Sequence, residues 1–499
     1  MAHPVFPECA IVRFGGAELL VTSGLSVIFR VQFVNSSMKI LRYLLLSSIL
    51  LSYPYLLFSQ TTVGVLQHAA GNQDGYVLFA PGTSTTTYLI DKCGRQVHSW
   101  KSEYRPGQSV YLLADGSLIR AGSPGNTRFP SPGVGGIIEK INWDGTVEWN
   151  YRISDSTQCQ HHDVYPMPNG NVLAIVWVAL SQSEAVAIGR DPGKTPAKVW
   201  GEKIIEIKPD GQHSGTIVWE WNVWEHCIQE IDPAKPNYGK VAAHPERINL
   251  NYINAASGDS VDWIHANSVA YHPELDQIMI SSQTFSEIWI IDHSTTTAQA
   301  ATHSGGKSGK GGDILYRWGN PATYQCGTEY DQRLFGQHSA HWIEKGLPDA
   351  GKIMIFNNGL LRPDNLCSVD IIAPAVNKKG SYVLKNNKFE PSDVSWTYSD
   401  TRGLFISPTF SGAQRLPNGN TLICLGAFGL FSEVTPAKTI VWQYKSPVGM
   451  QGPVAQGTDA GTNNVFRCTL YPPNYPAFQG RQLIGGDPIE LNPNPVECP

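Results

Sequence analysis

Three short runs, far apart in the chain, each place two histidines close together. They are QHHDVYP with His161 and His162, DWIHANSVAYHP with His265 and His272, and FGQHSAHWI with His338 and His341. Imidazole changes charge near neutral pH, so histidines gathered at one place can hold an anion, bind a metal or transfer protons. Neutral imidazole is also a nucleophile, given a group to hold it in one tautomer. Recurrence in three runs singles out His162, His265 and His338. Parity adds a restriction: side chains alternate along a strand, so His161 and His162 are expected on opposite faces, as are His338 and His341.

What must position these runs is a repeat. Six apolar runs close on a tryptophan, at Trp100, Trp149, Trp221, Trp318, Trp396 and Trp442, with Asp-Gly or Asn-Gly-Asn turns between neighbouring runs, as in INWDGTVEW and RLPNGNTLIC. Alternating apolar residues around dipeptides that tolerate positive φ read as strand, tight turn, strand. Units of about fifty residues built this way are the mark of a β-propeller, in which no blade buries its own faces. The expectation is an all-β, six-bladed β-propeller with long loop inserts. The runs that follow each tryptophan would converge on the central channel and bring the histidines together there.

Further elements follow from the same reading. DGYVLFA (Asp74 to Ala80) and NNVFRCTL (Asn463 to Leu470) read as strands that close the ring from its two ends, which removes exposed edges. Two inserts interrupt the cycle, Trp221 to Asp262 and Thr295 to Gly312, both too long for hairpin loops. The second contains GGKSGKGG, which lacks the first glycine of a phosphate loop, since Ala301 stands there, and reads as a flexible insert. The tail from about residue 471 is proline-rich and expected to be irregular.

Composition excludes more than it identifies. A net charge of −5 leaves no basic footprint for nucleic acid. From Met38, MKILRYLLLSSILLSYPYLLFSQ has two cations ahead of an apolar stretch and a cleavage point after Gln60, the pattern of a secretory signal. Residues 38–60 then form a signal peptide, residues 1–37 an over-extended N-terminus, and residues 61–499 one secreted or periplasmic propeller without stable membrane insertion. Eight cysteines follow the signal (Cys93, Cys159, Cys227, Cys326, Cys367, Cys424, Cys468 and Cys498), an even number, so some disulfides are expected in an oxidising compartment.

The motifs HHDVYPMPNGNVLAI, DWIHANSVAYHPELDQIMISSQTFSEIWIID, QHSAHWI followed by NNGLLRP, and SGAQRLPNGNTLIC resemble the bacterial arylsulfotransferase (aryl-sulfate sulfotransferase) family over roughly Tyr76 to Ile489. The resemblance implies an exported six-bladed propeller that moves a sulfuryl group from an aryl sulfate to a phenol. No nucleotide sulfate donor is implied, and no cofactor. It further implies that His265, His338 and Arg362 belong to the active site, with His162 as a fourth candidate. An arginine fork suits sulfate oxygens, and sulfuryl transfer spreads negative charge much as phosphoryl transfer does.

The chain departs from the family at one point. The nucleophilic histidine is expected after the arginine, but no histidine follows His341, and FISPTFSGAQRLPNGN offers Ser407, Thr409 and Ser411. Either His265 or His338 carries the sulfuryl group, transfer is direct, or the activity is different. Two other readings stay open on the residues alone. His162, His265 and His338 could bind Zn²⁺ in a hydrolase or lyase, and a non-catalytic extracellular propeller could bind glycans or proteins at its face.

Overall fold

The computed structural model describes residues 61–253, 260–400 and 405–494, together with three strands ahead of them. Met1–Gln60 and Thr61–Pro499 are separate units. In the first, Ile11–Phe14, Ala17–Val21 and Val27–Val31 form an antiparallel sheet in chain order. The expected signal at 38–60 lies outside the described residues.

The second unit is a six-bladed β-propeller. Six antiparallel sheets surround one axis, and their innermost strands are labelled here β1 (Arg105–Leu112), β2 (Gln158–Pro166), β3 (Ala266–His272), β4 (His338–Trp342), β5 (Gly412–Arg415) and β6 (Val465–Tyr471). Each blade then runs outward through three more strands, and the six repeat tryptophans all sit on the fourth. The ring closes twice. β6 pairs with Tyr76–Pro81, as the sequence suggested, and Gly64–His68 adds a fifth strand to the β5 blade by pairing with Ile440–Lys445. That second closure was not expected, because GVLQH is short and lacks a turn signal on its N-terminal side.

Packing explains why one blade cannot stand alone. Ile119, Ala121, Ile138 and Trp149 of the β1 blade share a core with Val164, Val172, Val176 and Ile207 of the β2 blade, and the same arrangement recurs around the ring. The apolar cores therefore lie between sheets, and each side chain buried there contributes about 1.5–3 kcal/mol.

The inserts are more ordered than their composition suggests. In the first, Cys227–Ile228 pairs in parallel with Ile248–Asn249. In the second, the buried carboxylate of Asp292 accepts from the backbone of Ser294 and Ser308, at 2.9 and 2.7 Å, so the glycine-rich segment is a hydrogen-bonded loop and not a flexible one. The tail from residue 471 holds one 3-10 turn, Pro476–Phe478, and packs by Tyr475 Oη donating to the Leu112 carbonyl at 2.8 Å. Cys159, Cys227, Cys326, Cys367, Cys424 and Cys468 are free thiols, which confines any disulfide to fewer cysteines than the even number suggested. Among the described residues no helix is long and apolar enough to cross a membrane.

Candidate active site

Bulges shape the axis. The inner-strand registers shift between Pro106 and Val110, Gln160 and Val164, Ala266 and Ser268, His338 and His341, and Val465 and Cys468. Left-handed backbone accompanies them: φ is 101° at Gln108, 51° at His162, 49° at His265, 54° at Ser339 and 57° at Phe410. Such residues cost on the order of 1–3 kcal/mol each and persist where the surroundings impose them.

The bulges also correct the parity expectation. His161 and His162 do not point to opposite faces, because the left-handed turn at His162 folds its ring back until the two Nδ1 atoms are 2.9 Å apart. Gly133 makes room for that ring: a Cβ there would overlap the imidazole. On β4 the bulge separates the histidines lengthwise. His338 stays with the other site histidines, whereas His341 lines a cavity at the far ends of the inner strands.

Each of the three candidate histidines has its Nδ1 engaged. His265 lies just before β3, and its Nδ1 is 2.7 Å from Asp262 Oδ2, the carboxylate that ends the first long insert. Asp262 is held in turn by Trp177 Nε1 at 3.0 Å and Ser131 Oγ at 3.2 Å. His338 Nδ1 is 2.8 Å from Asn358 Oδ1, and Asn358 Nδ2 donates to the carbonyls of Ser407 and Phe410. That amide orientation makes Nδ1 of His338 the protonated nitrogen. His162 continues a relay: Glu202 Oε2 lies 2.7 Å from His161 Nε2, and His161 Nδ1 faces His162 Nδ1. An ionised Glu202 would accept from His161 and leave a lone pair on Nε2 of His162, whereas a protonated Glu202 reverses the order. His265 and His338 likewise keep Nε2 open.

The rings are mutually close. His162 and His265 meet edge to face with centroids 4.7 Å apart. Burial, opposed by the hydrogen bond that His338 donates to Asn358, brings the pKa of His338 down to about 3, so it is neutral at pH 7. His161 and His162 are also held well below the usual histidine range, chiefly by burial and then by the neighbouring His265. Burial pushes Glu202 in the opposite direction, well above the ordinary carboxyl range. The site thus places the neutral rings of His162 and His338 beside His265, whose Nδ1 faces Asp262.

A cation completes the axis, but not the expected one. Arg362 directs Nε to Asp364 at 3.1 Å, Nη1 to Ser368 at 3.3 Å and Nη2 to the Leu366 carbonyl, all within its own loop. Arg467 on β6 is the arginine near the histidines. It lies over Phe466, whose ring centroid is 6.2 Å from that of His162, and it binds Asp163 at 2.6 Å and Tyr111 Oη at 2.9 Å. Its Nε is buried without a partner. Beyond it lies a cavity of about 890 Å³ lined by residues such as Tyr165, Tyr271, His341, Trp342 and Tyr471. That cavity does not include His162, His265 or His338.

The late hydroxyls are structural. Ser411 Oγ donates to Ser407 Oγ at 2.8 Å, and the two accept from the backbone N–H groups of Gly426 and Ala427. Among the described residues, the trio of possible metal ligands whose atoms lie within 4.8 Å of one another is His226, His303 and Asp313, away from the axial histidines.

The profile of the arylsulfotransferase (ASST) family matches residues 76–451, from the strand Tyr76–Pro81 to just short of β6. The chain belongs to the arylsulfotransferase family. No curated protein sequence matches it. Among solved structures, the chain is similar to a Bacteroides caccae protein of unknown function, at 9% identity and TM-score 0.41 over 80% of this chain and 99% of that one. A putative 6-phosphogluconolactonase from Bacteroides fragilis gives 10% and 0.37 over 81% and 99%. Virginiamycin B lyase from Staphylococcus aureus gives 10% and 0.35 over 77% and 89%.

Sequence reasoning missed four residues that stand around the candidate histidines. Asp163 and Asp262 were legible in principle, one adjoining His162 in QHHD and the other three residues before His265 in DWIH. Asn358 stood in the NNGLL motif without a stated role. Arg467 carried no signal, since RCTL reads only as a closing strand.

Proposed function

We propose that the protein is an exported enzyme that transfers a sulfuryl group from an aryl sulfate ester to a phenol at the axis, without a nucleotide donor, and that His265 is the carrier. The observation that carries this reading is the Asp262–His265 pair at 2.7 Å. A carboxylate on Nδ1 fixes the tautomer, presents the Nε2 lone pair and stabilises the positive ring that forms when Nε2 bonds to sulfur. Asn358 beside His338 is neutral and gives no such stabilisation.

In the first half-reaction Nε2 of His265 bonds to sulfur while the S–O bond to the aryl group breaks and the phenolate departs with the electron pair. The acceptor phenol then gives its proton to Nε2 of His162, backed through His161 by Glu202 in its ionised form, and its oxygen displaces His265 from sulfur. His162 passes that proton to the phenolate that departs in the next turnover, so protons balance over the cycle. Arg467 supplies positive charge close to His162, and the anionic donor favours a proton on His338. Arg362 braces its own loop.

Export is part of the proposal. Support comes from the signal-like sequence at 38–60. The test is phenol release from 4-nitrophenyl sulfate by the protein from Thr61 onward, with and without a phenolic acceptor. Release should depend on acceptor, and a quenched digest without acceptor should contain a His265 peptide heavier by one sulfuryl group. Acceptor-dependent release with the sulfuryl group on another peptide would reject His265 as carrier, and no release across a panel of aryl sulfates would reject the reading.

A further inference from the structure

A second constellation lies in the inserts. Trp221 ends its blade, the 3-10 turn Val223–His226 follows, and the ring of His226 stacks on Trp221 at an interplanar angle of 3°. Across from it, the second insert supplies His303 and runs on to Asp313. His226 Nδ1 and His303 Nδ1 each lie 2.9 Å from Asp313 Oδ1.

The other nitrogen of His226 decides what occupies that triangle. His226 Nε2 is 2.8 Å from the backbone carbonyl of Ala300, which can only accept, so Nε2 carries the proton. Nδ1 of the neutral ring is then a lone pair aimed at a carboxylate oxygen, and His303 brings a second ring nitrogen to the same atom. Two acceptors at 2.9 Å repel unless a cation lies between them. That cation is either an extra proton on a fully buried imidazole or a metal ion. A backbone carbonyl on the remote N–H is also the usual orientation device for a metal-bound histidine.

We propose that His226 Nδ1, His303 Nδ1 and Asp313 bind a zinc ion that fastens the Thr295 to Gly312 insert to the Trp221 to Asp262 insert. Two imidazoles and a carboxylate suit Zn²⁺, with bonds of about 2.0–2.2 Å that set tetrahedral neighbours about 3.3 Å apart. The observed separations need to open by a few tenths of an ångström. His226 and Asp313 are buried, while the side chain of His303 is 49% exposed and leaves the fourth position open to water. Arg247 Nε lies 3.8 Å from Asp313 Oδ1 and would oppose a cation there, but its nitrogens donate to the carbonyls of His226 and Cys227. The insert that the ion fastens is the one ending at Asp262, so the role is structural support.

The experiment uses untagged protein purified without chelator from zinc-supplemented medium. Elemental analysis should give one zinc per chain, falling more than tenfold in His303→Ala, a half-exposed position whose truncation leaves the core intact. Zn²⁺ added to chelator-treated protein should raise its Tm and leave that of His303→Ala unchanged, while Co²⁺ should give a tetrahedral absorption band in the wild type only. Unchanged Tm and no retained metal would overturn the proposal and leave a proton as the occupant. Zinc lost in His265→Ala but kept in His303→Ala would overturn it in favour of an axial ion. These readouts do not depend on sulfuryl transfer.

Discussion

Arg467 and Asp163 meet at 2.6 Å although they stand on inner strands of blades that are not neighbours, β6 and β2, with Tyr111 of the intervening β1 blade bonded to both. One buried ion pair therefore locks three blades at the axis. Burial disfavours the charge on Arg467, but Asp163 and then Tyr111 outweigh it and raise its pKa, so it stays cationic.

Arg467→Met should lower unfolding free energy by about 3–5 kcal/mol, because it leaves the carboxylate of Asp163 buried and unpaired. Asp163→Asn combined with Arg467→Met should recover much of that loss. Urea titration of the single and double variants checks this. Equal losses in both would mean that the pair contributes by packing and not by charge. Arg362→Ala should leave KM for the aryl sulfate within about threefold, since the Arg362 nitrogens are engaged in its loop; a large rise would return the sulfate-binding role to Arg362.

Asp262→Asn should keep KM and reduce kcat by about 10²–10⁴, because the amide offers His265 a different hydrogen bond and no charge. Steady-state kinetics with 4-nitrophenyl sulfate gives both constants. An unchanged kcat would remove His265 from the covalent role. A matching change in KM alone would place Asp262 in donor binding instead.

Much of this arrangement was legible in the sequence, and the limits have physical causes. The tryptophan period gave the blades because every fourth strand must cover the outer edge of an interblade core, as Trp442 and Trp221 do. Recurrence singled out His162, His265 and His338, and the structure places the first two rings edge to face. What failed was strand parity, since a period of two holds only in a regular ladder, and the inner strands bulge at the residues that matter. Pairings that depend on ring closure, such as Arg467 with Asp163, leave no local trace.

Stability should fall as pH drops from about 6.5 toward 3. His338 has a folded pKa of about 3, below its unfolded value of 6.5, so the unfolded chain binds the extra proton within that window. The contribution is complete above pH 6.5 and is lost on acidification, with a slope of about 1.4 kcal/mol per pH unit for each such group. His161 and His162 shift in the same direction. Urea midpoints between pH 4 and 7 should drop steeply in the wild type and less so in His338→Gln. Parallel curves would show that His338 is protonated while folded.

Trp442 should be the most costly of the repeat tryptophans to remove, because it serves the closure as well as its blade. It is fully buried, its Nε1 donates to the Lys92 carbonyl of the neighbouring blade at 2.8 Å, and Lys92 Nζ sits 3.7 Å from the ring centroid while bonding Glu433 at 2.7 Å. The same strand carries Gly64–His68 on its outer edge. Trp442→Ala should cost about 3–5 kcal/mol through the cavity alone, and weakening of the Lys92–Glu433 contact adds to it. Trp396 is only half-buried, so Trp396→Ala should cost distinctly less. Thermal unfolding of the two variants gives the comparison. Hydrogen exchange should place the additional opening of Trp442→Ala at Gly64–His68 and Ile440–Lys445; uniform loosening of all blades would instead mean that the seam between chain ends is no weaker than the rest of the ring.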